Sequence, residues 1–281
     1  MISIIMLGNN FLTQIDLLVG NRYLPAEIIG LYAAILLLPN SIRNIAFAIS
    51  SAFTPTTISI YSSGNMEKLR KYSNRVIKLS GYLVGWPVAI ISGLAIPILK
   101  IWLGKDFSPY EFTILLMLLP LTAHLAVNQL FNVQQAMNKV KIPAFASIII
   151  GGMNLLLAVF FIAYLNMGLF GIVLSGVIMN TIRSVFFYPL YTATITNQPK
   201  FVYYKSLITP IFPTFLTCAI GLIAQRFLNI NSFVYIIAVA FVLSILYMTL
   251  VMILLNLKER EAVLKLVNPF LRKFNPKIQQ V

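Results

Sequence analysis

Long apolar runs separated by short polar loops dominate this chain. A bilayer core about 30 Å thick takes roughly 20 apolar residues per helix, and on that ruler the pattern predicts about eight membrane spans. They cover Ile2–Val19, Ile28–Ile60, Val76–Leu103, Phe112–Met137, Pro143–Leu165, Leu169–Tyr191, Leu207–Leu228 and Phe233–Leu257. The expected fold class is an all-α integral membrane protein. The second run is too long for one simple crossing. Pro39 is expected to kink it, and the stretch past Pro55 to project into water.

Composition agrees with the pattern. Of 281 residues, 59% are hydrophobic and 10% charged, against about 25% charged in a soluble domain. The net charge of +14 points away from nucleic acid, because the basic residues cluster at the ends of apolar runs. Lys68, Arg70, Lys71, Arg75 and Lys78 flank one loop, Lys139 and Lys141 another, and Lys200 and Lys205 a third. The intervening loops are neutral or charge-balanced: Arg22 with Glu27, Lys105 with Asp106 and Glu111, and the turn 166–168. The positive-inside rule then places the basic loops and both termini in the cytoplasm of a multi-pass protein of the cell membrane. In the tail, Leu264, Val267, Phe270, Leu271 and Phe274 recur at helical spacing among basic residues. They suit a helix lying on an anionic leaflet, a partner supplied by the membrane lipids. The opening residues lack a basic region and a cleavage site, so they read as a first bundle helix rather than a signal peptide. Cys218, the lone cysteine, reads as a packing residue.

Several functions are excluded. The chain has no phosphate-binding glycine loop and no metal-ligand spacing. It therefore carries no ATPase of its own, although a separate ATPase could serve it. No carboxylate pair or Ser, His and Asp constellation is available, so it is not expected to be an enzyme or to hold a cofactor or metal.

Polar side chains at bilayer depth are costly and usually face a bundle interior or a wet cavity. Asn9, Thr13 and Asp16 share one face of the first span, with Asn10 and Gln14 beside them. Asn40, Arg43, Asn44, Ser51 and Thr54 form a stripe on the second. His124, Asn128, Asn132 and Gln135 line up at helical spacing on the fourth, and Gly176, Asn180 and Arg183 on the sixth. Amides in such places often only tie neighbouring helices together, each contributing roughly 0.6 kcal/mol. Asn154 and much of the His124 line fit that account, and Arg183 could simply reach headgroups. Arg43 differs: it lies roughly 22 Å along the axis from Ile28, with no acidic residue one turn away. A deep, permanently charged guanidinium suits a phosphate or pyrophosphate. Asp16 is a possible partner, though it is expected nearer the outer face.

The order of several short motifs resembles the C-terminal lobe of MOP-superfamily flippases, the Wzx-type polysaccharide and O-antigen transporters. These are Gln14-Ile15-Asp16, Gly30-Leu31-Tyr32-Ala33, Phe53-Thr54-Pro55 with Ser59, and Gly64-Asn65-Met66-Glu67-Lys68-Leu69. Ile101-Trp102-Leu103-Gly104-Lys105-Asp106-Phe107 and Gly168-Leu169-Phe170-Gly171 follow. The resemblance implies two lobes around a central cavity. Residues 1–191 would be the second six-helix lobe, 192–257 two additional helices, and 258–281 the cytoplasmic tail. It implies translocation of a polyprenyl-pyrophosphate-linked oligosaccharide by alternating access, with the first two helices lining the cavity; the polar intrusions on them, Asn9, Thr13, Asp16, Asn40, Arg43 and Asn44, are the candidate substrate-binding residues. It also implies an N-terminal lobe, supplied upstream in the same gene or by a separate chain. The basic residue that follows the Tyr-Ala pair in the lipid II flippase is replaced here by Ala34 and Ile35, so Arg43 rests on the physical argument alone. The alternatives are a MATE-type drug or cation antiporter, and a non-transporting membrane subunit or truncated remnant.

Overall fold

The computed structural model describes residues 15–228, 230, 232–255 and 260. Asn9, Thr13 and all but one of the tail residues lie outside them. Among the described residues the secondary structure is helical. It begins with α1 (residues 15–23), α2 (Ala26–Ile35), α3 (Leu37–Ser62), α4 (Met66–Gly93) and α5 (Ala95–Leu103). A short 3₁₀ turn leads to α6 (Glu111–Leu118), α7 (Leu121–Ala126) and α8 (Asn128–Ala136). The chain continues through α9 (Lys141–Ala163), α10 (Gly168–Thr181), a π-helical turn (Ile182–Phe187) and α11 (Tyr188–Ile195). It ends with α12 (Tyr204–Ile208), α13 (Ile211–Phe227) and α14 (Phe233–Leu254). Seven continuous or near-continuous stretches of these helices are long and apolar enough to cross a membrane. Helix α1 overlaps the end of the first expected span, Ile2–Val19, most of which lies outside the described residues.

The breaks follow local chemistry. The ladder misses one bond between α2 and α3, because Pro39 offers no N–H to the carbonyl of Ile35; Leu36 itself still donates to Tyr32 and accepts from Asn40. The break in the helix thus falls just before the proline that causes it. Pro55 is absorbed inside α3. Helix α4 starts ten residues before the apolar run of the sequence. Asn65 caps it, its side-chain oxygen accepting from the Lys68 N–H at 2.8 Å, after Gly64 turns the chain at φ 71°. The basic stretch after Asn65 is therefore the first turns of a transmembrane helix rather than a loop. On the opposite side, Ser108 donates both its N–H and its hydroxyl to Asp106 Oδ1, at 3.0 and 2.6 Å. Those donors hold the Asp106 carboxyl below the usual carboxylate range.

Packing is closest along α4. Gly93 and Gly221 let α4 and α13 touch through their backbones. A Cβ added at Gly221 would stand 2.9 Å from Gly93 Cα, tighter than any side chain tolerates. Tyr247 of α14 donates to the Tyr82 carbonyl at 2.8 Å. Helices α13 and α14 thus cover the back of α4 and contribute nothing to the central cavity. The main core joins α1 to α6 with α9 and α10 around Ile15, Tyr32, Ile42, Val88, Leu118, Ala158 and Ile172.

Candidate functional site

A cavity of about 380 Å³ lies between α1, α2, α3, α7, α8, α10 and the π turn. Polar side chains reach it from five separate stretches of sequence: Asp16, Tyr32, Arg43 with Asn44, His124 with Asn128, and Asn180 with Arg183. Phe47, Phe131 and Tyr188 supply aromatic walls.

Arg43 is held by its own helix: Nη1 donates to Asn40 Oδ1 one turn back, at 2.7 Å. Asn40 is solvent-exposed and does not line the cavity. Through this bond it orients the guanidinium. Asp16 is buried and accepts from the Tyr32 hydroxyl at 3.0 Å. The carboxylate lies against α10 at Gly176, where a Cβ would stand in ordinary contact, 3.5 Å from Oδ2. The Asn154 amide, wholly buried on α9, is beside the same carboxylate but outside the geometry of a formed hydrogen bond. Asp16 and Arg43 feel each other's charge without closing to an ion pair within 4 Å, as the sequence suggested.

For Arg183 the sequence leaves two readings open, a place on the polar stripe with Asn180 and a reach to headgroups. It does not reach out to headgroups. It lines the cavity, donates to Asn180 Oδ1 at 3.0 Å, and lies 5.9 Å from the centre of the Tyr188 ring. A π turn follows it: the Tyr188 N–H bonds to the Arg183 carbonyl five residues back. The extra residue in that turn is accommodated where the helix meets the site, a common place for such bulges. Asn180 in turn donates to the Gly176 carbonyl at 2.9 Å.

The line on the fourth span divides. The helix ladder is interrupted at Val127, between α7 and α8. His124 and Asn128 face the cavity. The Thr181 hydroxyl gives its proton to the Val177 carbonyl, so at the 2.9 Å contact His124 Nε2 is the donor. Asn132 instead ties α8 to α3 through Ser50 Oγ at 3.1 Å and also bonds Gln129. It keeps the structural role that amides in membrane helices usually have. Gln135 is not among the cavity residues. Tyr32 and Tyr188 are cavity-lining positions that the sequence reading did not single out as site residues. A tyrosine inside an apolar helix was the available signal, because its hydroxyl needs a buried partner.

Charge sets the cavity's character. Two guanidiniums face it against one carboxylate among the described lining residues. The helices and this polar interior define an integral membrane protein of the multi-span helical type. Over 264 residues the chain is 35% identical to the uncharacterized membrane protein EpsK of Bacillus subtilis (strain 168). The match takes in 94% of this chain and 52% of that protein, so the chain spans about half the length of the relative. No family model matches the chain, and no solved structure matches it.

Proposed function

We propose that this chain forms the C-terminal lobe of a flippase. It would carry a polyprenyl-pyrophosphate-linked oligosaccharide from the cytoplasmic to the outer leaflet for cell-surface polysaccharide synthesis. The observation that carries the reading is the net positive cavity at membrane depth, with Arg43 and Arg183 both facing it. A pyrophosphate is a natural counter-ion for two guanidiniums, which bind its oxygens in a fixed planar fork. A cation exporter with this fold would need the opposite balance of charge, although the aromatic walls would suit its drugs.

A second observation supports a partner bundle. Ser41, Asn44, Ala48, Ser51, Ala52, Pro55 and Ser59 follow one another along α3 and are exposed. Such a face is unfavourable against lipid. Ser41 and Ser51 return their hydroxyls to carbonyls of their own helix, which lowers the penalty without removing it. In this reading a facing lobe covers the stripe and closes the cavity, and the two lobes rock about it in alternating access. Residues 1–191 are then the lobe and 192–257 the added helix pair. Both termini, with the tail 258–281, are cytoplasmic, an orientation that rests on the basic loops. No covalent step, cofactor or metal is involved.

The test is Arg43→Ala introduced into the cell that carries the gene. The expected result is loss of surface glycan and accumulation of its lipid-linked precursor in the cytoplasmic leaflet, with the protein still inserted. Wild-type surface glycan would sink the proposal.

A further inference from the structure

A second cleft, of about 290 Å³, lies at the basic-loop end of the bundle and shares no residue with the central cavity. Lys71, Arg75 and Lys78 line it from α4, and Lys205, Ser206 and Thr209 from α12 and the residue after it. The three α4 cations recur at i, i+4 and i+7, so they share one helix face. Across the cleft, Ser206 Oγ donates to Asn74 Oδ1 at 3.3 Å, joining the two helices beside the charges. The described lining residues hold four cations and no carboxylate. Glu67 bonds Lys71 from outside the cleft, at 2.6 Å. Lys71, Arg75, Lys78 and Lys205 together give the cleft a positive field that attracts anions.

Height within the bilayer indicates which anion. Helix α4 has 28 residues, about 42 Å, and a hydrocarbon core takes about 30 Å of that. Its apolar run begins at Val76, so Arg75 and Lys78 lie at the level of the phosphates. Immediately deeper, Ile208, Phe212 and Phe215 are exposed and offer an apolar surface to acyl chains. We propose that this cleft binds the phosphate of an anionic phospholipid, with the lipid's chains lying along Ile208 and Phe212. Basic pockets between helices at this depth recognise such headgroups. The site does not depend on what the central cavity transports.

The test titrates the purified full chain in neutral detergent with short-chain phosphatidylglycerol, read by native mass spectrometry. The double substitution Arg75→Gln, Lys205→Gln is expected to weaken binding about thirtyfold, from about tenfold per 1.4 kcal/mol and about 1 kcal/mol for each charge removed. The same charge loss at Lys139→Gln, Lys141→Gln should leave affinity unchanged. Phosphatidylcholine should bind wild type and both variants alike. Lys205→Glu, one exposed change, provides a second reading and should lose more than either neutral substitution alone. Unchanged phosphatidylglycerol binding in the cleft variants overturns the site. Equal loss in the Lys139, Lys141 control does so too, by reducing the effect to bulk charge. Displacement of the lipid by millimolar inorganic phosphate overturns the lipid assignment in favour of a free anion.

Discussion

Arg43 is the residue whose removal should matter most. Its guanidinium is fixed at 2.7 Å to Asn40 and faces a cavity holding a second guanidinium and one carboxylate. Arg43→Ala changes the fixed charge there from net positive to neutral. A unit charge about 4 Å from a phosphate oxygen is worth about 4 kcal/mol at an effective dielectric near 20, and truncating one partner of such a contact costs about 2–5 kcal/mol. At about 3 kcal/mol, affinity for a short-chain prenyl pyrophosphate should fall about 150-fold. Arg43→Lys keeps the charge and loses the planar fork, so roughly tenfold of that loss should remain. Asn40→Ala leaves the charge but frees the guanidinium, and should cost roughly fivefold through one lost charge-assisted hydrogen bond. Thermophoresis on the purified full chain, with fluorescent ligand, reads all three. The order Ala, Lys, Asn40→Ala from weakest to strongest binding is the expected result. Equal affinity for wild type and Arg43→Ala would refute the cavity's role in anion binding.

Two further predictions concern the scaffold. Tyr32→Phe removes the donor to the buried Asp16 carboxylate and should lower stability by about 1–3 kcal/mol, seen as a lower Tm in detergent; an unchanged Tm would mean that this bond does not help hold α1 against α2. Gly221→Ala forces a Cβ against the Gly93 backbone and should cost about 1–3 kcal/mol. Gly30→Ala, with nothing within 4 Å, should instead be neutral or stabilising by up to about 1 kcal/mol. A larger loss at Gly30 than at Gly221 would contradict the packing described for α4 and α13.

Chain order was enough to show that this is a membrane protein of many helices, and roughly where each helix lies. Run length and composition are local properties, and the bilayer responds to them directly. The sequence also marked Arg43, Asp16, Asn44, Asn128 and Asn180 as polar intrusions. All five line the central cavity, as polar side chains at bilayer depth tend to, whereas Asn40, Asn132 and Gln135, marked in the same way, do not. Which intrusions act together was decided only by the tertiary structure. Uniform helical spacing put His124, Asn128, Asn132 and Gln135 on one stripe, but the interruption at Val127 and the bond from Asn132 to Ser50 divide them. Arg183 resembled a headgroup anchor as readily as a member of the Asn180 face, and the structure places it in the cavity beside Asn180 and Tyr188. Tyr32 gained a role only when α2 folded against Asp16. The basic residues after Asn65 were read as a loop, yet they continue into α4 and meet α12. Periodicity assumes an unbroken ladder and says nothing of neighbours. The facing of each side chain is set where ladders break and helices touch, and those contacts join residues far apart in the chain.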